Sequence, residues 1–149
     1  MLLVSTIGSI GAAHADPIAE NSIGIYTAQI NNSPDGVWEL APCDDGADRC
    51  VKVSQFGVKD KNRKKPNWSA NAHWAVGSWS FSRVATKYIS CEDGSKHDVV
   101  LAYSWDAATN EGFRSRNDPG LCGKKPASYA VPLMLVKTGP LPTPAPPSP

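Results

Sequence analysis

Charge of either sign is in short supply as a surplus: fifteen Lys+Arg stand against fourteen Asp+Glu in 149 residues, a formal net charge of +1. A polyanion is held through an excess of cations, so nucleic-acid binding driven by bulk charge is excluded and no nucleic-acid partner is expected. Histidine is scarce, three in all, and His14 falls in an apolar leader, which leaves only His73 and His97 as imidazole bases. Hydrolytic catalysis needs a nucleophile, a base and an orienter together, and this stock is thin for it. Long apolar runs are missing, so no transmembrane segment is expected in the mature chain. Helical periodicity is missing between residues 20 and 137. What is present excludes disorder throughout: five Trp, four Tyr and an apolar fraction of 41% require a packed core.

The run from Met1 to Ala13 carries no charge and is too short to span a bilayer. It reads as the apolar region of a signal peptide, residues 1–15, with the small residues of Ala13-His14-Ala15 placing the cut before Asp16. The positive region that normally precedes such a run is missing, so the expected translation start lies upstream. The folded domain is expected over 16–138. Residues 139–149 hold six prolines without charge or aromatic rings, and read as a disordered tail that cannot form a hydrogen-bonded ladder.

Four cysteines follow the leader, Cys43, Cys50, Cys91 and Cys122. An even number in an exported chain predicts two disulfides. With no Cys-x-x-Cys and no histidine close to a cysteine, no metal or other cofactor is expected. Cys43 and Cys50 bracket the turn-rich Asp44–Arg49, which pairs them and leaves Cys91 for Cys122. The chain is therefore expected outside the cytoplasm, secreted, extracellular or in the cell envelope.

Short β-branched and aromatic runs recur between Gly, Pro, Asn and Asp clusters, the pattern of an all-β domain. Strands are predicted at 23–30, 36–42, 49–55, 68–76, 79–90, 97–105, 111–115 and 130–137. About eight antiparallel strands close into an up-and-down barrel or stack as a sandwich, the barrel being favoured, since either removes free edges. Apolar parity flips across Gly77-Ser78, which predicts a two-residue type II′ turn pairing Val76 with Trp79 and Trp74 with Phe81. In a meander, alternate connections share an end. That arithmetic puts Cys91 and Cys122 together with Lys124, Lys125 and the basic loop, and puts Asp44, Asp45, Asp48, Asp106 and Glu111 at the opposite end.

Two binding regions follow. Small Ala70 and Ala72 opposite bulky rings predict an interior pocket lined by Trp68, Ala72, Trp74, Trp79, Tyr103 and Trp105, suited to a small apolar ligand. The loop Lys59, Lys61, Arg63, Lys64 and Lys65 predicts attraction to a polyanion of the envelope. Catalysis finds no support: His97 and Asp98 are adjacent on a strand and point to opposite faces, while no spacing argues that Glu39, Asp106 and Glu111 converge. Asp44, Asp45 and Asp48 lack the alternation and terminal Glu of a calcium loop.

The export signal ending Ala-His-Ala, Gly36-Val37-Trp38 leading to Pro42-Cys43, Tyr103-Ser104-Trp105-Asp106, and Cys122-Gly123 together resemble small exported mycobacterial proteins. The resemblance covers residues 1 to about 137 and implies a secreted or envelope-associated protein with no catalytic residue to carry over. The Lys59–Lys65 loop and the Pro-rich tail depart from that pattern. Gly36-Val37-Trp38 also has the form of the lipocalin Gly-x-Trp, but here it opens the second strand, not the first. The expected function is a non-catalytic binding module for an apolar or anionic ligand. A surface-interaction or structural protein of the envelope is the alternative, ahead of a hydrolase.

Overall fold

The computed structural model describes residues 16–142. The expected signal peptide and most of the expected tail lie outside the described residues. Eight strands follow a short helix: α1 (Pro17–Glu20), β1 (Gly24–Ile30), β2 (Ser33–Pro42), β3 (Cys50–Phe56), β4 (Trp68–Ala75), β5 (Ser78–Ser90), β6 (Lys96–Asp106), β7 (Glu111–Asp118) and β8 (Ala127–Gly139). A 3-10 turn, Leu121–Gly123, lies between β7 and β8. Each strand pairs antiparallel with the next, and β1 pairs with β8, so the sheet is a closed up-and-down barrel. The barrel, not the sandwich, is the architecture, and the disulfides are Cys43–Cys50 and Cys91–Cys122. No helix among the described residues is long and apolar enough to cross a membrane.

Alternation sets which side chains fill the interior, because successive residues of a strand face opposite sides of the wall. Tyr26, Ala28 and Ile30, then Trp38 and Leu40, then Val51 and Val53 are all buried and lie at every second position. Trp79, Phe81 and Ala85 continue the pattern on β5, as do Val99, Leu101, Tyr103 and Trp105 on β6 and Leu133 and Leu135 on β8.

The meander gives the barrel two unlike ends. The turns β1–β2, β3–β4, β5–β6 and β7–β8 gather the loop from Lys59 to Lys65 with Lys124 and Lys125 at a basic end. The turns β2–β3, β4–β5 and β6–β7 gather Asp44, Asp45 and Asp48 with the turn after Asp106 at an acidic end. Helix α1 closes the acidic end. Asp16 caps it by accepting from the Ile18 and Ala19 backbone N–H groups at 3.0 and 3.1 Å. Ser22 then ties the segment to the core, its Oγ accepting from Trp79 Nε1 at 2.8 Å while its carbonyl accepts from the Tyr26 hydroxyl.

One expectation needs correcting. The β4–β5 turn is Val76-Gly77, with φ of 50° and 84°, so it is a type I′ turn one residue earlier than expected. Trp74 consequently pairs with Trp79 and Ala75 with Ser78, in place of the expected pairs Val76–Trp79 and Trp74–Phe81. Two consecutive left-handed residues match the right-handed twist of the flanking strands, and that match outweighs the local preference of valine. The shift of partner is two residues, so every side chain keeps its face. β8 runs to Gly139, which pairs with Ile25.

Candidate functional site

The residues expected to line an interior pocket are packed against one another. Ala72, Trp79, Tyr103 and Trp105 are 0–2% exposed, and Trp68 packs on the same core. At the centre stands Trp38, with ring centroids 5.6 Å from Trp68, 5.6 Å from Tyr103, 5.9 Å from Trp105 and 6.0 Å from Phe81. Phe81 stacks on Tyr103 at 4.5 Å. Such tilted and offset contacts are how aromatic rings fill space most favourably. Trp74 makes none of these ring contacts but packs on the same core, half-buried, with the Arg49 guanidinium 5.1 Å from its ring centroid. The open apolar pocket is thus corrected to an aromatic core: two alanines do not leave a void when a fifth tryptophan, Trp38, enters from β2. Its position was visible in the Gly36-x-Trp38-x-Leu40 alternation.

The basic loop is only partly available. Lys59, Lys61, Lys64 and Lys65 are exposed. Arg63 is folded back, its Nε donating to Glu39 Oε1 at 2.9 Å and its backbone N–H to Asp60 Oδ1 at 3.0 Å. The loop is thereby pinned to the outer face of β2.

Three arginines face inward toward the basic end, and sequence reasoning missed all of them. Arg83 is paired with Leu101, Arg114 with Tyr103, and Arg116 with Tyr129, so register places each on the interior side. Arg83 Nε donates to the Tyr103 hydroxyl at 3.3 Å, and its guanidinium lies 4.5 Å over Trp68 and 6.0 Å from the Tyr103 ring. Burial pushes the Tyr103 phenol up, opposed by the nearby charges of Arg83 and Arg114. Arg116 lies 4.2 Å over Tyr129 and 3.5 Å from Asp118. Asp118 Oδ1 accepts from the Leu121 and Gly120 backbone N–H groups at 2.8 Å each, which with the Arg116 charge facing Oδ2 hold the carboxyl below the usual carboxylate range. The signal for Arg83 was its place in the inward series Trp79, Phe81, Arg83, Ala85.

Access to this end comes through the wall. β6 and β7 are paired only through Ala102–Trp105 and Gly112–Ser115. Beyond that ladder the first residues of β6 pair with β5 and the last of β7 with β8, and the strands part. The Cys91–Cys122 bridge ties the loops on either side of the parting. A cleft of about 860 Å³ lies against the bridge, bounded by Asp93, Ser95, His97 and Lys124. A second of about 170 Å³ is lined by Tyr88, Arg114, Ser115, Arg116, Tyr129 and Val131. A third, of about 240 Å³, touches Tyr103 and Phe113, and a groove of about 530 Å³ runs between Phe113, Pro132 and Met134. None of these is bounded by Trp68, Ala72, Trp74, Trp79 or Trp105.

Ser95 and His97 sit within reach, Oγ to Nε2 being 3.1 Å. The Ser95 hydroxyl, however, donates to Asp93 Oδ1 at 2.6 Å, and the Ser95 backbone N–H donates to the same oxygen at 2.9 Å. This is turn chemistry: the serine proton is directed at a carboxylate of its own loop, not at the imidazole. Glu39 is taken up by Arg63, and Asp106 accepts from Ala108 and Thr109 in its own turn. Asp44 pairs with Lys52 at 3.0 Å. Compared with protein-family models, with curated proteins and with solved structures, the chain finds no match.

Proposed function

We propose that this chain is a non-catalytic binding module, exported from the cell, that takes an anionic ligand at the basic end of the barrel. The observation that carries the reading is the inward orientation of Arg83, Arg114 and Arg116, with Asp118 as the one carboxylate in ion-pair contact with them among the described residues. Charges drawn out of water require compensation. Three guanidiniums against Asp118 and the exposed Asp35, whose charge also reaches Tyr103, leave a positive remainder that an anion can neutralise. Aromatic surface of Trp68 and Tyr103 beside Arg83 suits a ligand that also has an apolar body. The exposed lysines of the 59–65 loop at the same end add attraction at longer range. Export is supported by the apolar leader and by the pairing of all four cysteines.

The test is titration with 8-anilinonaphthalene-1-sulfonate, an aromatic anion whose fluorescence reports binding. Saturable binding that weakens with salt and drops at least tenfold in Arg83→Gln is expected, with near-UV dichroism checking that the variant is folded. Arg83→Lys, which keeps the charge, should retain part of the affinity. Binding unaffected by either substitution, or no binding by the parent chain, refutes the reading.

A further inference from the structure

We infer that the cleft formed by Tyr88, Arg114, Arg116 and Tyr129 is a site for the dianionic head of a phosphate monoester; this rests on the anionic-ligand reading above and names the chemistry of its head group. Residues two apart on a strand face the same way, so Arg114 and Arg116 project side by side from β7. Each is left with hydrogen-bonding capacity. The Arg116 guanidinium carbon lies over Tyr129, 4.2 Å from the ring centroid, a contact that restrains the group. Its Nη1 is buried and has no hydrogen-bond partner, although Asp118 Oδ2 stands 3.5 Å away. A buried, unbonded guanidinium nitrogen is costly, and the cost disappears when an acceptor enters. Arg114 makes no side-chain hydrogen bond or ion pair among the described residues.

The size and shape of the demand select the ligand. A carboxylate brings one charge and two oxygens, both of which a single bidentate guanidinium engages. A phosphate monoester carries three acceptor oxygens and nearly two charges at neutral pH, enough to engage two guanidiniums at once. The cleft of about 170 Å³ admits such a head group, and the parted edges of β6 and β7 give it a way in. Tyr88 and Tyr129, 40% and 43% exposed, bring phenol groups to the rim.

The experiment records arginine side-chain N–H resonances of the full chain during titration with inorganic phosphate, phenyl phosphate and benzoate. Saturable shifts at Arg114 and Arg116 are expected with both phosphates, with phenyl phosphate at least fivefold tighter than benzoate. Arg116→Gln, checked for folding by near-UV dichroism, should weaken phenyl phosphate tenfold or more; Arg114→Gln is the second variant should the first misfold. Cosedimentation with phosphatidic acid vesicles, abolished by Arg116→Gln, would identify a lipid head group as the source of the phosphate. Phosphate binding without cosedimentation identifies a soluble monoester. Unmoved arginine resonances, or benzoate as tight as phenyl phosphate, with the sulfonate still bound, overturn the inference and leave the broader reading standing. Silence toward phosphate and sulfonate alike overturns both.

Discussion

Replacing Val76 by Asn should stabilise this protein, although the position touches almost nothing. Val76 is 97% exposed at the tip of the β4–β5 hairpin, so the change removes hardly any buried apolar area. Its φ of 50° is the deciding quantity. A left-handed conformation brings Cβ against the following carbonyl and costs roughly 1–2 kcal/mol in an ordinary residue, more in a β-branched one, whereas Asn tolerates it. Asn-Gly is the preferred pair for a type I′ turn. The gain should therefore be about 1 kcal/mol, which for a domain of this size raises Tm by about 4 °C. Scanning calorimetry of the disulfide-intact chain measures it. Val76→Thr, equally branched but polar, supplies the control and should leave Tm nearly unchanged. Had the turn been Gly77-Ser78, residue 76 would lie in a strand, where Asn is worse than Val by up to about 1 kcal/mol. The two turn geometries thus predict opposite signs, and a lowered Tm in Val76→Asn would refute the turn and its register.

Further outcomes follow from the core and the termini of the strands. Ala72→Leu should overpack the fully buried position and cost roughly 1–3 kcal/mol in urea unfolding; an unchanged midpoint would reopen the case for an interior void. Trp79→Phe should cost about 1 kcal/mol more than Trp38→Phe, because Trp79 Nε1 gives up its bond to Ser22 whereas Trp38 Nε1 is buried without a partner. Mutating both Cys91 and Cys122 to Ala should lower stability by about 3–4 kcal/mol and the Cys43, Cys50 pair by about 2–3 kcal/mol, following the lengths of the closed loops, and chemical denaturation ranks them. Asp16, Asp106 and Asp118 each accept backbone N–H bonds that lower their pKa, so the unfolded chain binds more protons as pH falls. Stability contributed by these groups is complete above about pH 5 and lost as pH drops through about 4 and below, and Tm measured against pH should show that fall.

Much of the barrel is legible in the order of residues because a meander needs only local rules. Turn clusters such as Glu92-Asp93-Gly94-Ser95 mark where the chain reverses, and alternation on runs like Val99, Leu101, Tyr103 and Trp105 fixes which face is buried. The same rules give the disulfide pairing, since strand order alone determines which connections share an end. What stayed hidden depends on quantities that alternation does not carry. Whether rings fill a barrel or leave room is a matter of summed volume, and Trp38 supplies the missing volume from a distant strand. The inward arginines break the polar-out rule, and their reason lies in partners such as Tyr103 and Tyr129, which only register brings opposite them. The Val76-Gly77 turn was hidden for a simpler reason: valine is among the last residues expected in a left-handed conformation.

Gly112 pairs with Trp105 at the short ladder where β6 meets β7, and an added methyl there would land on the Ser104 carbonyl oxygen and the Trp105 backbone. The circle of strands is finished twice, once at this ladder and once where β8 returns to β1. Because β8 is the last strand in the chain, β1 has no partner on its outer edge until residues 133–139 have arrived. During synthesis, therefore, everything up to β7 is a sheet with one bare border at its start and another at its finish, and such borders recruit other chains. A chain cut before Ala127 should accumulate as insoluble material, whereas one cut after Gly139 should behave as the intact domain does, so the quality of folding is decided by the final thirteen residues of the sheet.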